Sequence, residues 1–368
     1  MKVWIAIALV AVSSPADAQL GGIVKRAQQV QERKQQFDDL NVSEEEELKI
    51  GADVSLKIRQ RFGVVQDPAV HKYVILVGTV LAQQSERPKL PWTFIVLDTD
   101  GVNAFAAPGG FVHITRGALG LIRSEAELAG VLAHEITHVA RKHTVDAIRK
   151  SKAVQLGTSE TLSSRGPFLD KMANKAYDLV LEGSFDRGDE LDADKGGVAL
   201  VGKAGYAPAA LADFLTRLEE RNKDQAERNG LFASHPETRE RIGKVKELAG
   251  AKTGAAAAAR YSSTITYRPT DVTKIAVVTE GSAGLTGAGE SKAKSDSAKQ
   301  AEEPKPKGFG LGRLKSAVTP EKSSGQVAAS GGARGVGPDR LAKGGDNPNP
   351  VKVSVSADEI ASFKKGIV

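Results

Sequence analysis

The stretch VLAHEITHVARKH, residues 131–143, carries two histidines four apart with a glutamate directly after the first, inside an otherwise apolar run. A helix turns about 100° per residue, so His134 and His138 stack on one face, where both imidazoles can reach one metal ion. Glu135 is offset by one position and can reach a metal-bound water without being a ligand. Zinc-assisted peptide hydrolysis uses this arrangement. Histidine is scarce, six in 368 residues, which weighs against accidental assembly of H-E-x-x-H. Ser124 followed by Glu127 reads as a capping box, and Leu128, Val131, Leu132 and Val139 supply an apolar side, so the spacing predicts a helix over 124–143.

Two histidines leave a catalytic zinc one protein ligand short. Extension to H-E-x-x-H-x-x-G-x-x-H fails, because Arg141 and Thr144 occupy the extra positions; His143 is one residue off that spacing and, on a continuous helix, faces elsewhere. A second helix offers the alternative. In GDELDADKGG (188–197), Glu190 and Asp194 stand at i and i+4 and share a face. Glu190 can ligate, and Asp194 can accept a hydrogen bond from the free ring nitrogen of a ligand histidine, fixing its tautomer. Asp186, Asp189 and Asp192 cluster there too, so a solvated acidic helix start competes with this reading. The upstream H-E-x-x-H tips the balance toward one zinc per chain. His71, His113 and His143 read as structural or surface residues.

These residues need elements to carry them. SEEEELKIGADVSLKIRQRFG (43–63) and VHKYVILVGTVLAQQS (70–85) read as helices, and WTFIVLD (92–98) and FVHITRG (111–117) as neighbouring strands joined by a turn-rich loop. Further helices are expected near 189–203, 207–224 and 236–249. Within 144–185, FLDKMANKAYDLVLEG suggests an amphipathic helix that forms a lid. Beyond Gly250 the expectation is a strand pair, YSSTITY and TKIAVVT. A Gly/Ser/Ala/Lys/Pro-dominated stretch follows that cannot bury a core, and then a short VKVSV segment and a helix started by Ser356 and Glu359. VKVSV suggests a strand that adds to the cleft edge in cis.

Lys2, the apolar run Val3–Val12 and Ala16-Asp17-Ala18 have the form of a cleaved signal peptide, which implies export, with the periplasm as the natural compartment in a Gram-negative bacterium. No later segment is apolar enough to cross a membrane. Cysteine is absent, which excludes disulfides and cysteine-based zinc knuckles. The net charge is +6, of which +5 lies beyond residue 280 (14 Lys/Arg against 9 Asp/Glu), so nucleic-acid binding is set aside and the basic tail becomes a candidate contact for an envelope partner. The expected organisation is a signal peptide (1–18), a helical arm (19–42), a metallopeptidase domain (43–250), a short extension (251–280), a low-complexity linker (281–350) and a C-terminal segment (351–368).

VNAFAAPGGFVHITRGAL (102–119), HEITHVARKH (134–143), ELDADKGG (190–197), GYAPAAL (205–211) and SHPETRERI (234–242) occur in that order between roughly Ser43 and Ala249. This ordered set resembles the HtpX-like and CAAX-prenyl-protease-type zinc peptidases of the gluzincin group, in their soluble exported bacterial branch. The resemblance implies a mainly helical α+β domain of zincin type, with its active-site helix beside a small sheet and a disordered tail behind. It implies His134, His138 and Glu190 as ligands, Glu135 as base and acid, Asp194 behind a ligand, and protein or peptide substrates. It also draws in His235, which could stabilise the oxyanion, occupy zinc's fourth position and hold the enzyme latent, or simply shape a turn. Asn103, Ala104, Phe105, Gly109 and Gly110 would line the substrate cleft, and Arg241 could pair with carboxylates around the site. Many members carry membrane helices, and some exported relatives carry a tetratricopeptide array; neither is legible here. A non-catalytic chaperone or assembly factor with a plugged or structural zinc is the rival reading.

Overall fold

The computed structural model describes residues 42–150, 165–181, 185–221, 235, 238–270, 276–279, 326–329 and 347–367. The expected signal peptide, nearly all of the arm and most of the low-complexity linker lie outside the described residues.

Helix α1 (Glu44–Phe62) starts at a full capping box between Ser43 and Glu46, with acidic residues in its first turn and Arg59 and Arg61 in its last. Asp67 caps α2 (Pro68–Ala82). Strands β1 (Thr93–Leu97), β2 (Ala104–Ala107) and β3 (Phe111–Thr115) form a sheet of order β1-β3-β2, with β1 parallel and β2 antiparallel to β3. The two strands read from sequence are thus neighbours, but the loop between them holds a third strand that supplies the sheet edge. Side chains alternate between two cores, as the period of a strand requires. Phe94, Val96, Ala104, Ala106, Val112 and Ile114 face a core shared with α2 and the active-site helix, while Ile95, Leu97, Phe105 and Ala107 face one shared with α1. At the β2–β3 turn, Gly109 has φ 75°, and a Cβ there would fall 2.7 Å from the Leu48 Cα, so α1 and the turn meet backbone to backbone.

Short helix α3 (Arg116–Leu121) leads to the active-site helix α4 (Glu125–Ala140), capped by Ser124. Glu127 returns its carboxylate to the Arg123 N–H rather than to that of Ser124, so only half of the capping box forms. The helix ends three residues earlier than the sequence suggests: Lys142 adopts φ 60°, and α5 (His143–Lys150) begins in a new direction. Helix α6 (Arg165–Leu181) is the expected amphipathic helix; Phe168, Met172, Ala176 and Val180 complete the second core against Ile50, Val54 and Phe105. Then follow α7 (Arg187–Lys203), α8 (Ala210–Arg221) and α9 (Thr238–Ala249).

YSSTITY is not a strand. Residues Ala258–Thr264 form helix α10, which Ala258 and Ala259 in its first turn favour and which two tertiary anchors hold. The Tyr261 hydroxyl donates to the Leu119 carbonyl (2.6 Å), and Arg260 pairs with Glu125 at the start of α4. Buried Glu125 also accepts from Tyr73 and Tyr206, each at 2.6 Å. Packing overrides the strand preference of a Ser/Thr-rich run. The second half of the expected pair, β4 (Ala276–Thr279), pairs instead with β5 (Gln326–Ala329). Helix α11 (Ala357–Lys365) has the expected Ser356/Glu359 capping box and docks on α2 through Lys72–Glu359 and a Phe363–Tyr73 ring contact. VKVSV forms no strand. Just before it the carbonyls of Asn347 and Asn349 accept from Val64 and Gln66, and just after it α11 docks on α2, so both flanks are anchored on the β1 side of the sheet rather than at β2.

Candidate metal centre

Helix α7 lies against α4 because Gly196 and Gly197 remove the side chains that would hold them apart. A Cβ at Gly196 would meet Thr137 Cγ2 at 2.4 Å, and one at Gly197 would stand 3.2 Å from the His134 backbone nitrogen. Within the two turns before them on α7, Glu190 and Asp194 therefore arrive beside the two histidines. His134 Nε2 and His138 Nε2 are 3.0 Å apart, and Glu190 reaches them at 3.5 and 3.4 Å. His235 joins from the segment before α9, its Nδ1 2.8 Å from Glu190 Oε1 and 3.3 Å from His134 Nε2. All four residues are buried, with one donor atom each inside a 4.8 Å cluster.

Three nitrogens and a carboxylate form a donor set that zinc accepts. Ligand atoms on one tetrahedral zinc, bonded at about 2.0–2.1 Å, stand about 3.3 Å apart. Among His134, His138 and Glu190 the separations, 3.0 to 3.5 Å, bracket that value. The residues fit the ion.

Behind the donors, Asp194 Oδ1 lies 3.0 Å from His134 Nδ1, the contact expected from its i+4 relation to Glu190. Arg241 on α9 donates twice to Asp194, from Nε and Nη2 at 2.8 Å each, and pairs with Glu190 at 2.8 Å. The sequence alone gave no physical reason to place this guanidinium here; only the family pattern pointed to it. Burial opposes the charge on Glu190, but His235 and Arg241 hold its carboxyl well below the usual range. Burial likewise opposes the charge on Asp194, yet Arg241 draws it down to about 2.

Glu135 differs. It is buried, neither carboxylate oxygen has a hydrogen-bond partner among the described residues, and His235 Nε2 stands 3.7 Å away. Burial raises its pKa, against the pull of His235 and His134. Burial of an unbonded carboxylate is costly, and a catalytic role offsets such a cost better than a structural one.

Ala104 and Phe105 lie on β2, the sheet edge beside α4, and Asn103 immediately precedes it, its carbonyl and N–H tied to Thr115 on β3. Gly109 and Gly110 sit at the far end of that strand; the Gly109 N–H donates to Glu47 on α1, and Gly110 lies against residues 91 and 92. His71 and His113 are buried and bonded to the Val65 carbonyl and Ser55, away from the cluster. His143 faces His138.

Residues 68–249 match the model of peptidase family M48. The protease HtpX homolog of Acidiphilium cryptum is 30% identical over 217 residues, covering 47% of this chain and 74% of that protein. The chain belongs to peptidase family M48. Among other M48-like relatives, the putative beta-barrel assembly-enhancing protease of Vibrio cholerae is 30% identical over 217 residues (56% of this chain, 44% of that protein). The mitochondrial metalloendopeptidase OMA1 of Schizosaccharomyces pombe is 27% identical over 220 residues (58% and 64%). The M48 chain thus spans less than half the length of the Vibrio cholerae protein.

In this M48 site the surroundings push the two motif histidines in opposite directions. Burial and Arg241 oppose protonation of His134, but Asp194 and Glu190 outweigh them and raise it to about 9. Burial holds His138 well below its usual value despite the Glu190 carboxylate beside it. The metal-free protein therefore keeps a proton on His134 that zinc must displace. Apparent zinc affinity is expected to rise about tenfold per pH unit toward pH 9 and then level, as a zinc titration at stepped pH would show. Metal-free stability has the opposite trend. A folded-state pKa above the unfolded 6.5 contributes stability that is full below pH 6.5 and is lost as pH rises through about 9.

Proposed function

We propose that the chain is a zinc-dependent endopeptidase, with His134, His138 and Glu190 as the ligands, Asp194 orienting His134 and Glu135 as general base and acid. The observation that carries this reading is the buried, unbonded Glu135 beside the four-donor cluster. A purely structural zinc site has no use for that carboxylate. Bound zinc would polarise the scissile carbonyl and acidify the attacking water. Glu135 accepts the water's proton at a carboxylate oxygen, and its raised pKa lets it deliver that proton to the leaving amine. Asp194, anchored by Arg241, holds His134 with Nε2 toward the metal.

An extended substrate would add alongside β2, where Ala104 alternates with Asn103 and Phe105, whose main chains face β3, and the Gly109–Gly110 turn would set where the groove ends. Main-chain pairing gives affinity with little sequence preference. That suits unfolded or misassembled cell-envelope proteins, and relatives named for enhancing beta-barrel assembly support this substrate class. The charged, apolar and Ala-x-Ala pattern at residues 1–18 supports export to the periplasm. Among the described residues no helix is long and apolar enough to cross a membrane. The basic tail is the candidate contact for an envelope partner.

One observation favours a second state of the same site. His235 stands among the donors, close enough to occupy zinc's fourth position, which would hold the enzyme latent or make it a client-holding assembly factor. Displaced from the metal, the same ring would be free to donate to the oxyanion. Casein cleavage by the chain from Gln19 onward tests the reading. The expected result is cleavage that 1,10-phenanthroline abolishes and about one zinc per chain restores; zinc binding without cleavage, in wild type and His235→Ala alike, would remove the peptidase reading.

A further inference from the structure

We propose that His143, outside the H-E-x-x-H motif, is a positioning residue for the metal, one that fixes the tautomer and orientation of His138 and is itself fixed by Asp192. The inference rests on the ligand set proposed above.

On an uninterrupted helix, residues 138 and 143 would point about 140° apart and could not meet. The left-handed Lys142 ends α4 and turns α5 so that His143 comes back onto His138. His143 Nδ1 stands 3.0 Å from His138 Nδ1, with the rings edge to face at 84°. Two ring nitrogens at that distance share one proton: one donates and the other accepts. The far side of His143 decides which. Its Nε2 stands 3.2 Å from Asp192 Oδ2, and an ionised carboxylate only accepts. Nε2 therefore carries the proton of a neutral His143, and Nδ1 is left as the acceptor. His138 in turn carries its proton on Nδ1 and keeps Nε2, the nitrogen facing Glu190 and His134, bare for a metal.

Asp192 is held in place by Arg141, through a 2.8 Å ion pair and a 3.0 Å bond from the same guanidinium to the Asp192 carbonyl. Phe185 lies against His138, with ring centroids 4.2 Å apart. Helix α7 thus serves both histidines from one short stretch, E-L-D-A-D: Asp194 acts on His134 directly, and Asp192 acts on His138 through His143. Partners of this kind orient ligand imidazoles and raise their basicity, and their loss weakens metal binding by about 10–100-fold.

The test is a zinc titration of the full chain against a competing chelator, for wild type, His143→Leu and His143→Asn. Wild type must first bind one zinc that Glu190→Ala loses; without that, the proposed ligand set fails before His143 is in question. Given it, His143→Leu is expected to bind zinc about 10–100-fold more weakly. His143→Asn, whose side-chain oxygen can accept near the position of Nδ1, is expected to recover most of the loss. Wild-type affinity in His143→Leu, with only a lowered Tm, would overturn the proposal, and so would equal losses in the two variants. Should His143→Leu fail to fold, nitrogen-15 imidazole spectra of the zinc-loaded wild type decide. A proton on Nε2 of His143 and on Nδ1 of His138 is expected, and a proton on His143 Nδ1 would overturn the assignment.

Discussion

Replacing Glu135 by glutamine is expected to lower turnover of an unfolded protein by about 10²–10⁴-fold while one zinc per chain is retained. The amide is nearly isosteric and fills the same buried site, but it cannot take the proton of an attacking water or hand one to the departing amine. Glu135 is not itself among the clustered donors, so the ligand set is untouched. Burial makes the sign of a second effect clear. An ionised carboxylate without hydrogen bonds is unfavourable here, so the variant is expected to be at least as stable as the parent in thermal unfolding. Turnover and metal content measured on the same sample check this: a variant that loses zinc, or keeps full activity, removes Glu135 from the chemistry.

Arg241→Met is expected to destabilise the metal-free protein by about 3–5 kcal/mol, because it strands two buried carboxylates, Asp194 and Glu190, that now share one guanidinium. Both groups owe part of their lowered pKa to Arg241, so both would rise toward protonation in its absence. Zinc supplies positive charge beside Glu190 and so recovers part of the loss. Denaturant unfolding with and without zinc is therefore expected to show a larger zinc-induced stabilisation in Arg241→Met than in wild type. Unchanged metal-free stability would mean that the pairs around Arg241 contribute little.

Periodicity explains which parts of this site were legible in the sequence. His134, Glu135 and His138 share one helix, and Glu190 and Asp194 share another, so spacing alone fixes which residues can face a metal together. The glycines that press α7 onto α4 also stand in the sequence, at 196 and 197, yet nothing local says which helix they meet. Arg241 could not be read locally because its role is a long-range charge pairing, 47 residues from Asp194. The contact of His143 with His138 is not legible locally for a sharper reason: a helix running on to residue 143 would point the two apart, whereas Lys142 adopts a left-handed backbone that no Gly or Asn announces. YSSTITY went the same way: its composition favours a strand, but Tyr261 and Arg260 are more strongly committed to Leu119 and Glu125. Strand β2 was hidden because AFAA between turn residues carries no alternation to read.

The central claim is that a zinc ion sits among His134, His138 and Glu190. Anomalous diffraction at the zinc edge from crystals of the zinc-loaded chain tests it most directly. The account predicts one peak of near-full occupancy within bonding distance of the His134 and His138 Nε2 atoms and a Glu190 oxygen. An empty cluster in active, zinc-containing crystals, or a peak held by other residues, would contradict it.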